Sequence, residues 1–393
     1  MKVWSSCVLI LVLAGVLNRS DLPVQPASSG DVELKVTAVN KIETARHGET
    51  VELSAQQLAP LNEKDLTKIN VRDSSGRVVL AQAVDTDYDE YHKPDLLIFQ
   101  TDFDPNETKT FILSGGAKRE YLREDFRAYG RFVRERFDDF AWENDRIAHR
   151  TYGKALMTWK GEPLTSSSID IWSKRTDKLV LNDWYMVDNY HVDRGEGVDA
   201  YSAGPTRGCG GNGFWSNDRL YIPTNFVDSR VLANGPIRVL FELVYEPFEV
   251  NGVRVSQVLR VSLDAGSQLN RFSVSYEAAK NEPLAVAVGL KKVKEEQQQL
   301  DAKHGWLTIW EPMEKNLGMQ GLAVIVDPRS FEKLTEDKLN HLVVLKTGTA
   351  QPVVYWAGFA WDRAGKITTA QSWNTYVGQF AERLRSPVEV KIQ

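Results

Sequence analysis

The sequence is poor in cysteine, with only Cys7 and Cys209 among its 393 residues. If an apolar N-terminal leader that contains Cys7 is removed, no intrachain disulfide can form. The remaining chain of about 370 residues is long enough to bury a large core without such bonds. Cys209 lies among glycines close to His191 in the sequence, which suits a nucleophile, but an isolated thiol is more often a small packed residue.

The sequence also lacks a strong excess of charge and a long hydrophobic run. A net charge of −5 with both signs interspersed argues against nucleic-acid and anionic-membrane partners. The apolar run at residues 8–17 is too short to span a bilayer, and it follows Lys2 as in a secretory signal peptide. No cysteine follows residues 13–15, so the sequence does not support a lipoprotein membrane anchor. We therefore expect a signal peptide at residues 1–20, a linker at 21–30 and export to the periplasm or the medium.

Alternation of apolar and polar residues predicts antiparallel strands along most of the chain. Residues 237–245 and 253–263 are separated by Asn251-Gly252, the strongest short hairpin signal. The sequence predicts an all-β, β-rich chain with a few short helices and a large antiparallel β-sandwich. We expect an N-terminal β-layer at 31–117 and a main sandwich at 118–393, which can pack as one unit.

Four other segments carry weaker signals. Apolar spacing predicts short helices at residues 330–339 and 369–384, the second with Thr368 or Thr369 as its cap. The charged, amide-rich residues 291–303 predict a mobile surface loop. Residues 119–144 suit either a helix or a charged loop.

A loop at residues 184–215 concentrates polar, aromatic and glycine residues in a way that fold-building elements do not need. Seven glycines lie between Gly195 and Gly213, and glycine allows a ligand to approach the backbone closely. The spacing fits neither a phosphate-binding loop nor a dinucleotide fingerprint. The polar side chains of this loop can transfer protons or hold a carboxylate: they are His191, Asp193, Glu196, Asp199, Tyr201 and Arg207.

Four motifs together resemble one protein family, the domain of unknown function 4861. They are AWENDRIAHRTYG from Ala141, DIWSKR from Asp170, YH from Tyr190 with GEGVDAYSAGPTRGCGG from Gly195, and YWAGFAWDRAGKITTAQSW from Tyr355. The resemblance implies a galactose-mutarotase-like supersandwich and a secreted protein of uronic-acid polysaccharide degradation, on pectin or ulvan. It also implies an activity, the removal of water from uronate-terminated oligosaccharides. The sequence departs from the family pattern at His149, and no family role is carried to that residue.

Such a β-elimination needs a cation for the substrate carboxylate, a base for the proton on carbon 5 and an acid for the departing oxygen 4. Arg150 or Arg207 can pair with the carboxylate. His191 is the expected base, since imidazole accepts a proton near neutral pH. Tyr201 or Tyr190 is the expected acid. No cofactor is required.

Further side chains are expected to contact the sugar: Asp145, Tyr152, Trp172, Trp184, Glu196, Asp199 and Trp215. Some of the candidate residues could instead have a purely structural role. Arg150 can brace nearby carboxylates together with Arg146, and Tyr152 can be a buried ring.

Three alternative functions and a metal site remain open at this stage. A polysaccharide lyase would use the same β-elimination to cleave the chain, with an alcohol instead of water as the leaving group. Glycoside hydrolysis needs two carboxyl groups, with candidates in Asp145, Asp193, Glu196 and Asp199. A divalent metal could be held by His191 with the last three of these, although the spacing matches no zinc or calcium motif. A glycan-binding protein without catalysis would use stacking tryptophans, namely Trp172, Trp184, Trp215 and Trp361.

Overall fold

A computed structural model describes residues 32–87, 89, 92–161, 163–187, 189–279, 283–346 and 352–393. The predicted signal peptide and linker lie outside the described residues. Residues Val32–Gln393 form one compact unit. In the described part of the chain, no helix is both long and apolar enough to cross a membrane.

The N-terminal layer is a small sandwich of two antiparallel sheets, ordered β26-β1-β7-β3-β4 and β2-β6-β5. Leu53, Phe99 and Phe111 are among the buried side chains between these sheets. A short helix, α1, covers Ala55–Leu58. The strands are β1 (Glu33–Val39), β2 (Arg46–Ser54), β3 (Asn70–Asp73), β4 (Val78–Val79), β5 (Ala81–Val84), β6 (Leu96–Phe103), β7 (Thr108–Ser114) and, from the far end of the chain, β26 (Glu389–Ile392).

The last strand pairs antiparallel with the first, with Val36 opposite Ile392. The C-terminal residues therefore belong to the N-terminal layer. The predicted division into 31–117 and 118–393 places them in the main sandwich.

A central sheet follows, ordered β12-β11-β10-β9-β8. Helix α2 (Leu181–Tyr185) lies between its last two strands in the sequence. The strands are β8 (Ala128–Val133), β9 (Asp139–Asn144), β10 (Ala148–Thr151), β11 (Asp170–Lys174) and β12 (Gly197–Val198). Residues 119–144, for which the sequence suited either a helix or a charged loop, thus contribute two strands of this sheet, β8 and β9.

The two remaining sheets are ordered β14-β13-β19-β24-β23 and β15-β16-β17-β18-β25-β22-β21-β20. Their strands are β13 (Cys209–Ser216), β14 (Arg219–Tyr221), β15 (Asp228–Asn234), β16 (Arg238–Val250), β17 (Val253–Asp264), β18 (Leu269–Ala278), β19 (Ala285–Lys291), β20 (Gln297–Asp301), β21 (Trp306–Pro312), β22 (Met319–Val326), β23 (Phe331–Glu336), β24 (Asn340–Leu345) and β25 (Val353–Trp361). Helix α3 (Ala370–Arg385) packs against β21 and β22. We call the second of these sheets the long sheet.

One large core joins the central sheet to both of these sheets. Trp142 comes from the central sheet, Val288 from the sheet that contains β19, and Phe272 from the long sheet, and all three side chains are fully buried. The prediction of a β-rich, large antiparallel sandwich with few helices is confirmed.

Two local predictions are also confirmed. Asn251 and Gly252 form the two-residue turn between β16 and β17, both with positive φ (48° and 77°). Helix α3 begins after Thr369, whose hydroxyl accepts a hydrogen bond from the amide of Ser372.

The predicted helix at residues 330–339 is wrong, because β23 lies there. Phe331 and Leu334 are three residues apart, which imitates helical spacing, and both pack against the large core. A register shift in the pairing with β24 lies between Phe331 and Lys333. A bulge of this kind changes the strict alternation of faces and brings both apolar side chains inward.

The predicted loop at residues 291–303 is partly wrong. Its glutamines belong to β20, which pairs only with β21 at the edge of the long sheet. The strand is mostly exposed, so it lacks the apolar alternation that would have identified it.

Candidate active site

Strand geometry places several charged side chains on the outer face of the central sheet. Side chains alternate between the faces of a strand, so Phe140 and Trp142 enter the large core while Asp139 points the other way. Arg150 is paired with Ala141 on one side and with Asp170 on the other, so it shares the outer face with Asp139. The sheet thereby gathers charges from three strands on one surface.

Residues 180–187 and 189–199, here called the cover, lie over this face. The beginning of the cover is fixed by Glu143, whose carboxylate accepts hydrogen bonds from the amides of Val180 (2.9 Å) and Leu181 (2.8 Å). Lys174 pairs with the same carboxylate at 2.7 Å, and neither side chain is exposed. The end of the cover brings Asp199 to the sheet.

Arg150 is the centre of a buried ionic cluster, which we call the Arg150 cluster. Its Nε donates to Asp170 at 2.8 Å, its Nη2 is 3.1 Å from Asp199, and its Nη1 is 3.7 Å from Asp139. All four side chains are at most 5% exposed. Tyr152 adds a hydrogen bond to Asp170 at 2.7 Å. The guanidinium is thus held by three aspartates of the protein itself.

Three carboxyl groups around one guanidinium leave an excess of negative charge. Burial raises the pKa of Asp139 to about 7, although Arg150 and Arg136 oppose this shift. Burial likewise raises the pKa of Asp199, with Asp170 as a further cause. The carboxylates hold the pKa of Arg150 well above its ordinary value despite burial. The cluster therefore retains a proton on its carboxyl groups near neutral pH.

This proton predicts how stability depends on pH. The unfolded carboxyl of Asp139 ionises near pH 4, whereas the folded one ionises near 7, so the folded state binds more protons between these values. Its contribution to stability is lost as pH rises through this window. Asp139→Asn removes the effect, so we expect the variant to gain on the order of 2–4 kcal/mol relative to the wild type between pH 4 and pH 8. Urea denaturation at several pH values measures this difference.

Asp218→Asn is the matched control, because the side chain of Asp218 is 91% exposed. Its stability relative to the wild type should not change across the same pH range. If the stability difference between Asp139→Asn and the wild type stayed constant from pH 4 to pH 8, it would contradict the presence of a buried proton on Asp139.

At the outer edge of the cluster, Tyr190 and His191 lie side by side. Their ring centroids are 4.7 Å apart, and the hydroxyl of Tyr190 accepts a hydrogen bond from Nη1 of Arg150 at 3.3 Å. His191 has its Nδ1 2.9 Å from the backbone oxygen of Asp199 and 3.5 Å from its carboxylate, and its side chain is 48% exposed. This pair joins the buried charges to solvent.

The structure brings together seven of the side chains that the sequence analysis selected: Arg150, Tyr152, Trp172, Trp184, Tyr190, His191 and Asp199. Trp172 is fully buried and in ring contact with Trp184 and Tyr190. Trp184 is only 8% exposed. These indoles form the apolar floor of the cover, and they present no open stacking platform for a sugar.

Arg207 is placed elsewhere, inside the main sandwich with no exposed surface. Its guanidinium donates to the backbone oxygens of Ser167 and Asn212 and to the hydroxyls of Ser166 and Ser167. Burial lowers its pKa to about 10. Its hydrogen bonds tie three chain segments together and leave no surface for a substrate carboxylate.

Tyr201 and Cys209 also lie in the large core. The hydroxyl of Tyr201 is buried and has no hydrogen-bond partner among the described residues. Burial raises the pKa of both groups well above their ordinary values. A thiol of raised pKa gives little thiolate, so this environment disfavours a nucleophilic Cys209.

Three other residues that were predicted to contact the sugar lie outside the Arg150 cluster. Asp145 accepts a hydrogen bond from the amide of Gly266 at 2.6 Å and braces a turn of the long sheet. Glu196 pairs with Lys178 at 3.3 Å on the surface. Trp215 lies near the end of β13, beneath Lys333.

No group of three or more histidine, cysteine or acidic side chains in the described part of the chain is arranged to hold a metal ion. Of the candidate ligands, Asp193 pairs with Arg175 at 2.9 Å and Glu196 with Lys178. These two carboxylates are engaged by cations of the protein.

Sequence reasoning missed Asp139, Asp170 and Tyr185. Tyr185 donates to Asp139 at 3.3 Å and packs on Trp172. Asp170 opens the DIWSKR motif, and an acidic residue directly before the large apolar pair Ile171 and Trp172 is a signal that could have identified it.

His149 is a core residue. Its ring is fully buried, stacks on Trp142 at 5.3 Å, and bonds to the backbone oxygen of Asp170 and to Asn270. Burial lowers its pKa to about 4, so it stays neutral. It faces the opposite side of the sheet from Arg150.

Two solved structures resemble this fold. An α-mannosidase from Enterococcus faecalis V583 superposes with a TM-score of 0.50 and 11% identity, over 92% of this chain and 46% of that chain. A protein in glycosyl hydrolase family 38 from Enterococcus faecalis gives a TM-score of 0.48 and 11% identity, over 92% and 47%. The chain spans about half the length of either structure. At this identity, the likeness to the α-mannosidase shows the fold alone.

A closer relative is found by sequence. "Uncharacterized protein P7" from Formosa agariphila is 32% identical over 380 residues, which cover 91% of this chain and 93% of that protein. The family described as "Domain of unknown function (DUF4861)" matches residues 39–390. The chain therefore belongs to the DUF4861 family, as its four motifs predicted.

Proposed function

We propose that this protein is an exported carbon–oxygen lyase that removes water from uronate-terminated oligosaccharides by β-elimination. The observation that carries the proposal is the pair of proton-transfer groups at the edge of the Arg150 cluster, Tyr190 and His191, with ring centroids 4.7 Å apart. One can accept a proton while the other donates one.

The contacts of His191 support a role as the base. A carbonyl oxygen can only accept, so the 2.9 Å contact with the backbone of Asp199 requires a proton on Nδ1. The neutral ring then carries its lone pair on Nε2, which has no hydrogen-bond partner among the described residues. The nearby carboxyl of Asp199 stabilises the imidazolium that forms when Nε2 takes a proton.

Tyr190 serves as the acid. Burial raises its pKa, so the phenol keeps its proton near neutral pH. Its oxygen accepts a hydrogen bond from Arg150, which leaves the hydroxyl proton available to a leaving group. The guanidinium then stabilises the phenolate that remains. Arg150 is in this account a positioning residue, and the three aspartates that hold it prevent it from serving as the clamp for the substrate carboxylate.

In the reaction, Nε2 of His191 takes the proton from carbon 5 of the terminal uronate. The electron pair of that bond forms the double bond between carbons 4 and 5, and the bond from carbon 4 to oxygen 4 breaks. Tyr190 protonates the departing oxygen, which leaves as water. No cofactor and no redox partner are needed.

Arg194 is the candidate for binding the substrate carboxylate. It is exposed, lies three residues after His191, and forms no ion pair with any of the described residues. A guanidinium suits a planar carboxylate because it can donate two parallel hydrogen bonds.

Two further findings support a saccharide as the substrate. The family resemblance implies uronic-acid polysaccharides such as ulvan or pectin as the source of the substrate. The fold is shared with an α-mannosidase, an enzyme that acts on a sugar.

Glycoside hydrolysis is the second candidate, because two carboxyl groups of raised pKa, Asp139 and Asp199, meet at Arg150. Hydrolases use such a pair, with the sugar between the two groups. Here both side chains are at most 2% exposed, because Asp139 lies beneath the cover and Asp199, at the end of the cover, faces the buried cluster. A sugar would reach them only if the cover moved, which makes elimination at the exposed edge the better-supported reaction.

The experiment is incubation of the purified protein with uronate-terminated oligosaccharides from ulvan and from pectin. Absorbance in the conjugated-enoate band reports elimination, and a reducing-end assay reports hydrolysis. We expect the band to rise without new reducing ends. New reducing ends without the band would instead favour the hydrolase, and binding without either change would favour a glycan-binding protein.

A further inference from the structure

A trough lies on the outer face of the long sheet, away from the Arg150 cluster. The N-terminal layer forms one wall through β2, helix α3 forms the other, and the turn between β17 and β18 closes one end. The cavity has a volume of about 550 Å³, within the range of pockets that hold small ligands.

Arg271 and Trp356 form the floor of this trough. They are directly opposite each other on β18 and β25, so their side chains leave the same face of the sheet side by side. Tyr376 and Phe380 of α3 line the neighbouring wall. Trp356 is partly buried, so the trough offers the exposed part of its indole with a guanidinium next to it.

Arg271 differs from the two other arginines that line the trough, because both of those face carboxylates. Arg238 is neutralised by Asp264 at 2.7 Å and by Glu52 at 2.6 Å. Arg383 lies 3.6 Å from Glu49. Arg271 is exposed and makes no ion pair or hydrogen bond with the described residues through its side chain. Partial desolvation and, next in size, the charge of Arg238 lower the pKa of Arg271, while Glu52 and Asp264 act in the opposite direction.

We propose that this trough is a second saccharide site that binds an anionic sugar, with Trp356 stacking on the ring and Arg271 pairing with its carboxylate or sulfate group. Aromatic faces bind the apolar side of a sugar ring, and the planar guanidinium suits both anions. The proposal rests on the proposed function in one respect, since both take an acidic saccharide as ligand. A site of this kind would hold an acidic polysaccharide near the enzyme while its chain ends are processed.

The test is calorimetric titration with three probes: a galacturonate disaccharide, a sulfated galactose disaccharide and a neutral galactose disaccharide. The wild type and Arg271→Gln are compared, with Arg254→Gln as the matched control, because Arg254 is an exposed arginine of the same sheet outside the trough. We expect Arg271→Gln to weaken binding of at least one anionic probe about tenfold to a hundredfold. Arg254→Gln and the neutral probe should show no such change.

Trp356→Ala provides the second variant and should weaken the same probe about tenfold. Affinities for the anionic probes that are equal in the wild type and Arg271→Gln would overturn the proposal, as would equal affinity for the neutral probe. Repeating the titrations in His191→Ala separates the two proposals. Binding that depends on Arg271 without elimination would refute only the proposed function, and elimination without such binding would refute only the second site.

Discussion

Replacement of His191 by alanine is expected to lower the rate of elimination about 10²- to 10⁴-fold, the usual contribution of a general base. The side chain is 48% exposed, so its loss should leave the melting temperature nearly unchanged. Tyr190→Phe should lower the rate by a similar factor, because it removes the proton that the leaving oxygen needs. Initial rates from the enoate absorbance, at saturating substrate, measure both effects.

His304→Ala is the matched control for this prediction. Its side chain is 42% exposed, and its Nδ1 lies 2.6 Å from the carboxylate of Asp301, a similar environment far from the central sheet in sequence. The control should retain the full rate. Undiminished turnover in His191→Ala would show that the base is another group.

Replacement of Arg150 by glutamine is expected to destabilise the protein by about 3–5 kcal/mol at neutral pH, the cost of breaking a buried ionic cluster. The variant leaves Asp139, Asp170 and Asp199 buried without their central cation. The loss should be smaller in acid, where these carboxyl groups take up protons. Urea denaturation at pH 7 and at pH 4.5 measures the difference.

Arg219→Gln is the control, because Arg219 is exposed and contacts the ring of Tyr221. It should change the stability by less than about 0.5 kcal/mol. If Arg150→Gln lost no more stability than this control, the three carboxyl groups would not depend on the guanidinium for their burial.

Local signals in the sequence predicted local structure well. Asn251-Gly252 fixes a hairpin because both residues accept positive φ, and the apolar stripe of α3 needs only its own residues to be recognised. The prediction at residues 330–339 was wrong because a bulge near Phe331, set by the neighbouring strand, imitates helical spacing.

The candidate site was predicted in part, for a related reason. The density of polar residues within one loop identified Tyr190 and His191, which are adjacent in the chain. The partners of Arg150 come from separate strands and from the cover, and their approach depends on strand pairing, as at Arg150 opposite Asp170. No spacing rule within one segment reveals such a cluster.

The buried position of Arg207 also could not be predicted from its own segment of the sequence. In the sequence, an arginine within a glycine-rich loop is typical of a ligand-binding residue. In the structure, the loop glycines serve close packing: a Cβ at Gly208 would lie 2.0 Å from the backbone oxygen of Ile169. Gly289 on β19 does the same for the side chain of Arg207, which would lie 2.5 Å from a Cβ there. Glycine here makes room for a buried arginine, and composition alone does not distinguish this purpose from ligand binding.

The measurement that tests the account most directly is the mass of the product formed from a single, purified uronate-terminated oligosaccharide. Elimination at oxygen 4 of the terminal uronate predicts one product, lighter than the substrate by one water and with the same number of sugar units. Two shorter products whose masses sum to that of the substrate plus one water would contradict the account and establish hydrolysis.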